Sequence, residues 1–190
     1  MSQFEYIAVL VSVIAGLGIV HLLQGITRFL STKGPWKPYW VHLLWTWNVF
    51  HFIVFYWWFF WRWSAITEWQ LLLFLFILIY AVILYMLCVI LFPPGEDKTD
   101  FKEIYYQNRK PFFGLWVIAF IVDIGDTQLK IHYGLSGFGP LHAIMYLTLI
   151  IGSILAARSS NHKYHVFWGF MFFTIMSIFE YLNFSILRAS

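Results

Sequence analysis

Two acids, Asp123 and Asp126, stand three residues apart in the stretch "FIVDIGDTQLKIHYG", residues 120–134. Lys130 follows four residues after the second acid, and His132 two after that. On a continuous helix 123, 126 and 130 share one face, and Lys130 neutralises Asp126 as an i, i+4 pair. Asp123 is then left wanting a proton, a cation or a partner from another helix. The run that leads in from Phe112 is apolar, so the acids arrive where a membrane helix would be half-way across. At 1.5 Å per residue Asp123 lies about 16 Å in, near the midplane of a hydrocarbon core about 30 Å thick. A helix stopping at Asp123 would hold only eleven apolar residues, 112–122, too few to span. It must run on through the acids, or break at Gly125 into backbone buried in protein. A carboxylate at the centre of a membrane helix costs roughly 2.5–3.5 kcal/mol on insertion scales. Two chemistries follow: a buried ion pair that sets helix register, or a polar site for a cation or proton.

Other groups share the depth of Asp126. Glu5 sits at the outer end of the first helix, His142 in the first turns of the fifth, and Glu180 in the outer half of the sixth with Asn183 beyond. Acids with one histidine suit a hard or borderline divalent cation or a proton relay, although no two ligands form a tight local pair such as HxxxH. The expected roles are Asp123 as the titrating or ion-binding group, Lys130 as its electrostatic tuner, and Glu180 with Glu5 as an outer vestibule. His21 and His51, mid-helix on the first two helices, define an alternative chemistry as axial ligands to a haem iron. Otherwise they bond across to neighbours, with Gln24 and Asn48 in range. His42, His162 and His165 fall near the cytoplasmic interface, expected solvated or lipid-facing. No further cofactor is indicated.

Stepping outward to the elements that carry these groups, hydrophobic residues make up 61% of the chain and charged residues 11%, with mean hydropathy +0.73. A soluble domain is nearer half apolar and a quarter charged; the excess must face lipid. The expected fold is all-α and polytopic, one domain over 1–190. Its six transmembrane helices fall at about 4–30, 38–62, 69–92, 112–133, 138–157 and 164–187, with a cytoplasmic charged loop at 93–111. The first apolar run lacks a basic n-region and is too long for an h-region, so it is expected to remain as a helix. The net charge of +3 reads as a topology signal, not as a nucleic-acid surface. Arg28, Lys33, Lys37, Lys98, Lys102, Arg109, Lys110, Arg158 and Lys163 fall on one side, against Arg62, Lys130 and Arg188 on the other. The nine-residue side is expected to be cytoplasmic, placing both termini outside.

The second segment, "WVHLLWTWNVFHFIVFYWWFFWRW", suits an interfacial belt through Trp57, Trp58, Trp61 and Trp63, or a stacking wall for a flat ligand. Ala8, Ser12 and Gly16 form one ladder of small residues, and Gly18 with Gly25 a second; both fit close helix packing within the chain or a homo-oligomer seam. The charged loop fits a short interfacial helix with Arg109 and Lys110 on lipid headgroups, or a partner-docking surface; Pro111 is expected to open the fourth helix. The single cysteine, Cys88, excludes an internal disulfide or CxxC pair.

"FEYIAVLVSVIAGLG", "YWVHLLW" and "YYQNRKPFFGL" resemble a group of small six-helix bacterial inner-membrane proteins without an assigned activity. The resemblance implies a multi-pass protein of the bacterial inner membrane and supplies no functional residues. No GxSxG, HExxH or phosphatase-like Arg/His set is present, so an enzyme is not expected. Three functions remain: a cation or proton channel or transporter with its acidic site in the fourth helix; a non-enzymatic subunit or scaffold binding lipid or a membrane-protein partner; and a haem-binding redox protein.

Overall fold

The computed structural model describes residues 2–30, 36–94, 100–137 and 139–184. Lys33, Lys98 and Arg188 of the charge tally, and the side chain of Asn183, lie outside the described set. The described residues form an all-α bundle: α1 (Gln3–Leu30), α2 (Trp40–Phe60), α3 (Leu71–Leu91), α4 (Phe101–His132), α5 (Pro140–Arg158) and α6 (His162–Phe184). A 3₁₀ turn over Trp61–Ala65 continues α2. Among the described residues six helices are long and apolar enough to cross a membrane.

Successive helices run antiparallel, so the bundle has two ends. The upper end gathers the start of α1, the end of α2, the start of α3, the end of α4 and the start of α5. Phe4 stacks on Phe60 with ring centroids 5.3 Å apart, and Trp69 N–H donates to Gln3 Oε1 at 3.2 Å. At the lower end Phe101 N–H donates to the Lys37 carbonyl at 3.1 Å, tying the α1–α2 connection to the start of α4. The main helix pairs are α4 with α5, α1 with α3, α3 with α4, and α2 with α6.

The fourth helix departs from the expected 112–133. It begins at Phe101 and runs 32 residues, about 48 Å at 1.5 Å per residue, well beyond a hydrocarbon core of about 30 Å. Much of the expected loop 93–111 is therefore the lower part of α4. Asp100 starts it, accepting from the Lys102 and Glu103 N–H groups at 2.9 and 3.3 Å, which satisfies two of the donors a helix leaves open. Pro111 sits inside the helix and does not open it; its ring removes only the bond to the Gln107 carbonyl. The lower extension is not an independent surface helix, because Phe101, Ile104 and Tyr105 are buried. Lys110 is exposed, while Arg109 is half-buried and donates to the Tyr106 carbonyl at 2.8 Å.

No break occurs at Gly125; α4 is continuous through both acids. It ends at His132 and is closed by Gly134, whose φ of 72° glycine adopts without strain. The Gly134 and Leu135 N–H groups close back on Ile131 and Lys130 at 2.9 and 2.7 Å, a Schellman closure.

The two small-residue ladders separate. Gly18 and Gly25 face α3: a Cβ on Gly18 would meet Cys88 Sγ at 3.1 Å, and one on Gly25 would meet the Phe92 ring at 2.4 Å. That ladder packs the chain on itself. Gly16, on the other, has nothing within 4 Å. The aromatic helix α2 also divides: Trp45, Phe52, Tyr56 and Phe60 are core, whereas Trp47, Trp57, Trp58 and Trp61 are exposed. Trp63, expected in the interfacial belt, is 1% exposed; the 3₁₀ turn swings it inward.

Candidate functional site

A cavity of about 40 Å³ lies in the upper half of the bundle, between α2, α4, α5 and α6. At roughly 10–15 Å³ per water centre it has room for about three waters. Its walls are aromatic: Phe52, Phe55, Tyr56 and Phe59 from α2, Tyr80 from α3, Tyr146 from α5 and Phe179 from α6. Its floor carries Asp123, Asp126, Thr127 and Lys130 of α4, and Arg62, Ser136 and His142 form the upper rim. The helical face read from the sequence is therefore the face α4 turns to the cavity.

The ion pair forms as the i, i+4 spacing predicts, with Lys130 Nζ on Asp126 Oδ2, both residues under 10% exposed. The other Asp126 oxygen accepts from Trp63 Nε1–H at 3.0 Å. The ammonium also lies 5.6 Å from the Trp63 ring centroid, within cation–π range. Thus Trp63 touches both members of the pair and bridges the 3₁₀ turn to α4. Among the described residues no cation is paired with Asp123; the Lys130 ammonium is committed to Asp126. Tyr80 O–H donates to its Oδ1 at 2.8 Å and Tyr146 O–H to its Oδ2 at 2.7 Å, so α3 and α5 each send one neutral donor to a carboxylate on the helix between them. Asp123 is half-buried, and its accessible part faces the cavity. Thr127 Oγ1 lies 3.2 Å from the Tyr146 hydroxyl and extends the polar row one turn upward.

The remaining expected site residues divide. His142 joins the rim; its Nδ1 accepts from Gly139 N–H at 3.2 Å, capping α5, and its ring stands edge-on to Phe179. Glu180 is not a vestibule group. It is 1% exposed, and one oxygen lies 3.2 Å from His51 Nε2. That is ion-pair distance, but neither carboxylate oxygen meets hydrogen-bond geometry. Glu5 is exposed, bonded to Ser2 N–H at 2.9 Å, and does not line the cavity. Its place at a helix start lets it cap the first turn instead.

His21 and His51 are not brought together. His21 Nε2 is 2.8 Å from the Phe92 carbonyl at the lower end of α3, whereas His51 faces Glu180 on α6. Neither uses Gln24 or Asn48; Asn48 Nδ2 donates to the Leu44 and Gly169 carbonyls at 3.0 and 3.1 Å. Among the described residues no group of three or more His, Cys, Asp or Glu gathers to hold a metal ion.

The lower-end histidines also differ from expectation. His42 and His165 are fully buried, among the Phe92, Phe101, Tyr105 and Phe113 rings. His165 Nδ1 is 2.8 Å from the Tyr105 hydroxyl. His162 is exposed and pairs with Tyr39 at 2.7 Å; burial and the adjacent Tyr106 hydroxyl hold the Tyr39 phenol above its usual range.

Between this lower cluster and the cavity lies a continuous aromatic layer. Trp45 packs on Phe113 at 4.8 Å, Trp116 on Phe172 at 4.6 Å and Phe52 on Trp116 at 5.0 Å between ring centroids. Trp45, Phe112, Phe113, Trp116, Phe120 and Phe172 are all under 2% exposed. The cavity therefore ends blind below Asp123. Fold and site together define an all-α bundle of six span-length helices around a polar cavity in one half. No protein-family model, curated protein or solved structure matches the chain.

Proposed function

We propose that this chain is a multi-pass protein of a bacterial inner membrane, with its upper end outward, that takes up a proton or small cation at Asp123 and passes it across the bilayer. The observation that carries the reading is the charge arrangement of the cavity. Lys130 neutralises Asp126 directly, while Asp123 is held only by two neutral tyrosine donors. At an effective dielectric of about 20, a unit positive charge 4 Å from a carboxylate gains about 4 kcal/mol. A site of this kind draws a cation inward without closing on it permanently. Arg62, committed at the rim to the Leu135 carbonyl and Ser136 Oγ, both at 3.2 Å, tempers the field at the entrance.

In this reading the aromatic layer under Asp123 is the inner gate. Its close packing favours a carrier, in which gate and entrance open in turn, over a continuously open pore. The lipid-facing chemistry supports membrane residence: the exposed residues include Val13, Leu17, Leu72, Ile79, Ile144, Leu147 and Phe167, each about half exposed or more. Ion flux into liposomes carrying purified protein tests the proposal, comparing wild type with Asp123→Asn. The expected result is flux in wild type and at least a tenfold loss in the variant. Unchanged flux in the variant removes Asp123 from the mechanism, and no flux of any ion in wild type removes transport.

A further inference from the structure

We infer that the species handled is the proton, and that Asp123 shares it with a second station, the buried Glu180–His51 pair between α6 and α2. The inference rests on the cavity being a cation or proton site and narrows it.

The cavity is poorly made for a metal ion. Every oxygen of its two carboxylates already accepts a donor: Tyr80 and Tyr146 on Asp123, Trp63 and Lys130 on Asp126. A bare calcium ion wants six to eight oxygen ligands, and magnesium a near-octahedral set. An ion entering here would compete with those donors for the same oxygens. The cavity's 40 Å³, about three waters, is also less than the hydration shell of such an ion. A proton needs only a short row of waters and hydroxyls, and the walls offer one: Thr127, Tyr146, Asp123 and Tyr80 in hydrogen-bonded sequence.

Two of the buried polar groups without a hydrogen bond lie beside that row. Tyr56 is a wall of the cavity, is 8% exposed, and its hydroxyl has no hydrogen-bond partner. Glu180 is 1% exposed with neither oxygen hydrogen-bonded. A buried polar group without a hydrogen bond costs about 1–3 kcal/mol, more when charged, so each gains from a bridging water or a proton partner. Both stations sit on the helices that wall the cavity. Glu180 stands one turn beyond Met176 and His51 one turn before Phe55, on the same faces of α6 and α2, and Met176 and Phe55 line the cavity. Ser177 Oγ, 3.5 Å from His51 Nε2, completes the second station.

The charged and titratable groups around the two stations are His51 and Tyr56 of α2, Arg62 of the 3₁₀ turn, Tyr80 of α3, Asp126 and Lys130 of α4, and His142 and Tyr146 of α5. In the transfer an O–H bond on one carboxyl breaks as one forms on the other. A bridging water or the Tyr56 hydroxyl accepts one proton and releases another, so atoms and charge balance.

The test uses proteoliposomes holding a pH-sensitive dye, driven by a potassium diffusion potential. Proton uptake is expected in wild type, with at least a tenfold loss in Glu180→Gln as in Asp123→Asn. Wild-type flux carried by sodium or potassium in place of protons overturns the proton assignment and leaves the cavity reading standing. Proton flux undiminished in Glu180→Gln overturns the second station alone. No flux of any ion removes both readings. Because Glu180→Gln risks misfolding, infrared titration of wild type and Asp123→Asn is the companion measurement. The Glu180 carboxyl band is expected to shift its midpoint when Asp123 is replaced, and an unmoved midpoint overturns the coupling.

Discussion

Replacing Lys130 by Met removes one charge from a buried pair and keeps nearly all of the side-chain volume. Asp126 is 5% exposed and Lys130 7%. After Lys130→Met, Asp126 retains only the Trp63 N–H, at 3.0 Å. Breaking a buried pair by removing one partner loses about 3–5 kcal/mol, because the remaining charge is uncompensated. The ammonium's position over the Trp63 ring adds about 0.5–2 kcal/mol. Asp126→Asn, which strands the lysine, is expected to lose a similar 3–5 kcal/mol. The double variant leaves no stranded charge and is expected to lose less than either single one, giving a coupling energy of at least about 3 kcal/mol. The assay is reversible unfolding in mild detergent by SDS titration, followed by tryptophan fluorescence. An exposed pair contributes only about 0–1 kcal/mol. Single losses below about 1 kcal/mol that add in the double variant would show the pair to be solvated, and the argument for a sheltered site would fall with it.

Two further outcomes test the packing that positions the site. Gly152→Ala places a Cβ 2.2 Å from the Trp168 ring, forcing α5 from α6 at the lower end; a loss of about 1–3 kcal/mol is expected from overpacking. Gly16→Ala, with open space around it, is expected to be neutral or to gain up to about 1 kcal/mol. Both are read by the same unfolding assay. Asp100→Ala deletes the cap of α4 and is expected to lose about 0.5–2 kcal/mol, with faster amide exchange confined to the first turn.

The parts of this structure legible in the sequence are those written locally. Long apolar runs announce span-length helices, and the i, i+4 spacing of Asp126 and Lys130 announces their pair. Tyr80, Tyr146 and Trp63 carry no local signal, because they reach the acids across 43, 23 and 63 residues. In so aromatic a chain, no local pattern sets them apart. Glu180 and His51 were each visible, but depth along a helix says nothing of the angle around a bundle, and so their pairing was not. The start of α4 differs for another reason. Pro111 beside Arg109 and Lys110 has the composition of a boundary, but the helix is started by Asp100 three residues before Glu103, a capping pattern. The burial of His42 and His165 had no sequence cue, since it depends on α4 extending below the core.

The central claim is that the α4 acids line a cavity entered from the upper end, where α1 begins, and closed below by aromatic side chains. Thr127→Cys in a Cys88→Ala background puts the single thiol on that cavity. A small cationic thiol reagent added on the upper side of the protein in sealed liposomes is expected to modify it and to abolish flux, while the same reagent on the opposite side leaves it untouched. Equal modification from both sides, or none while a thiol at the exposed Thr67 reacts, would contradict the account.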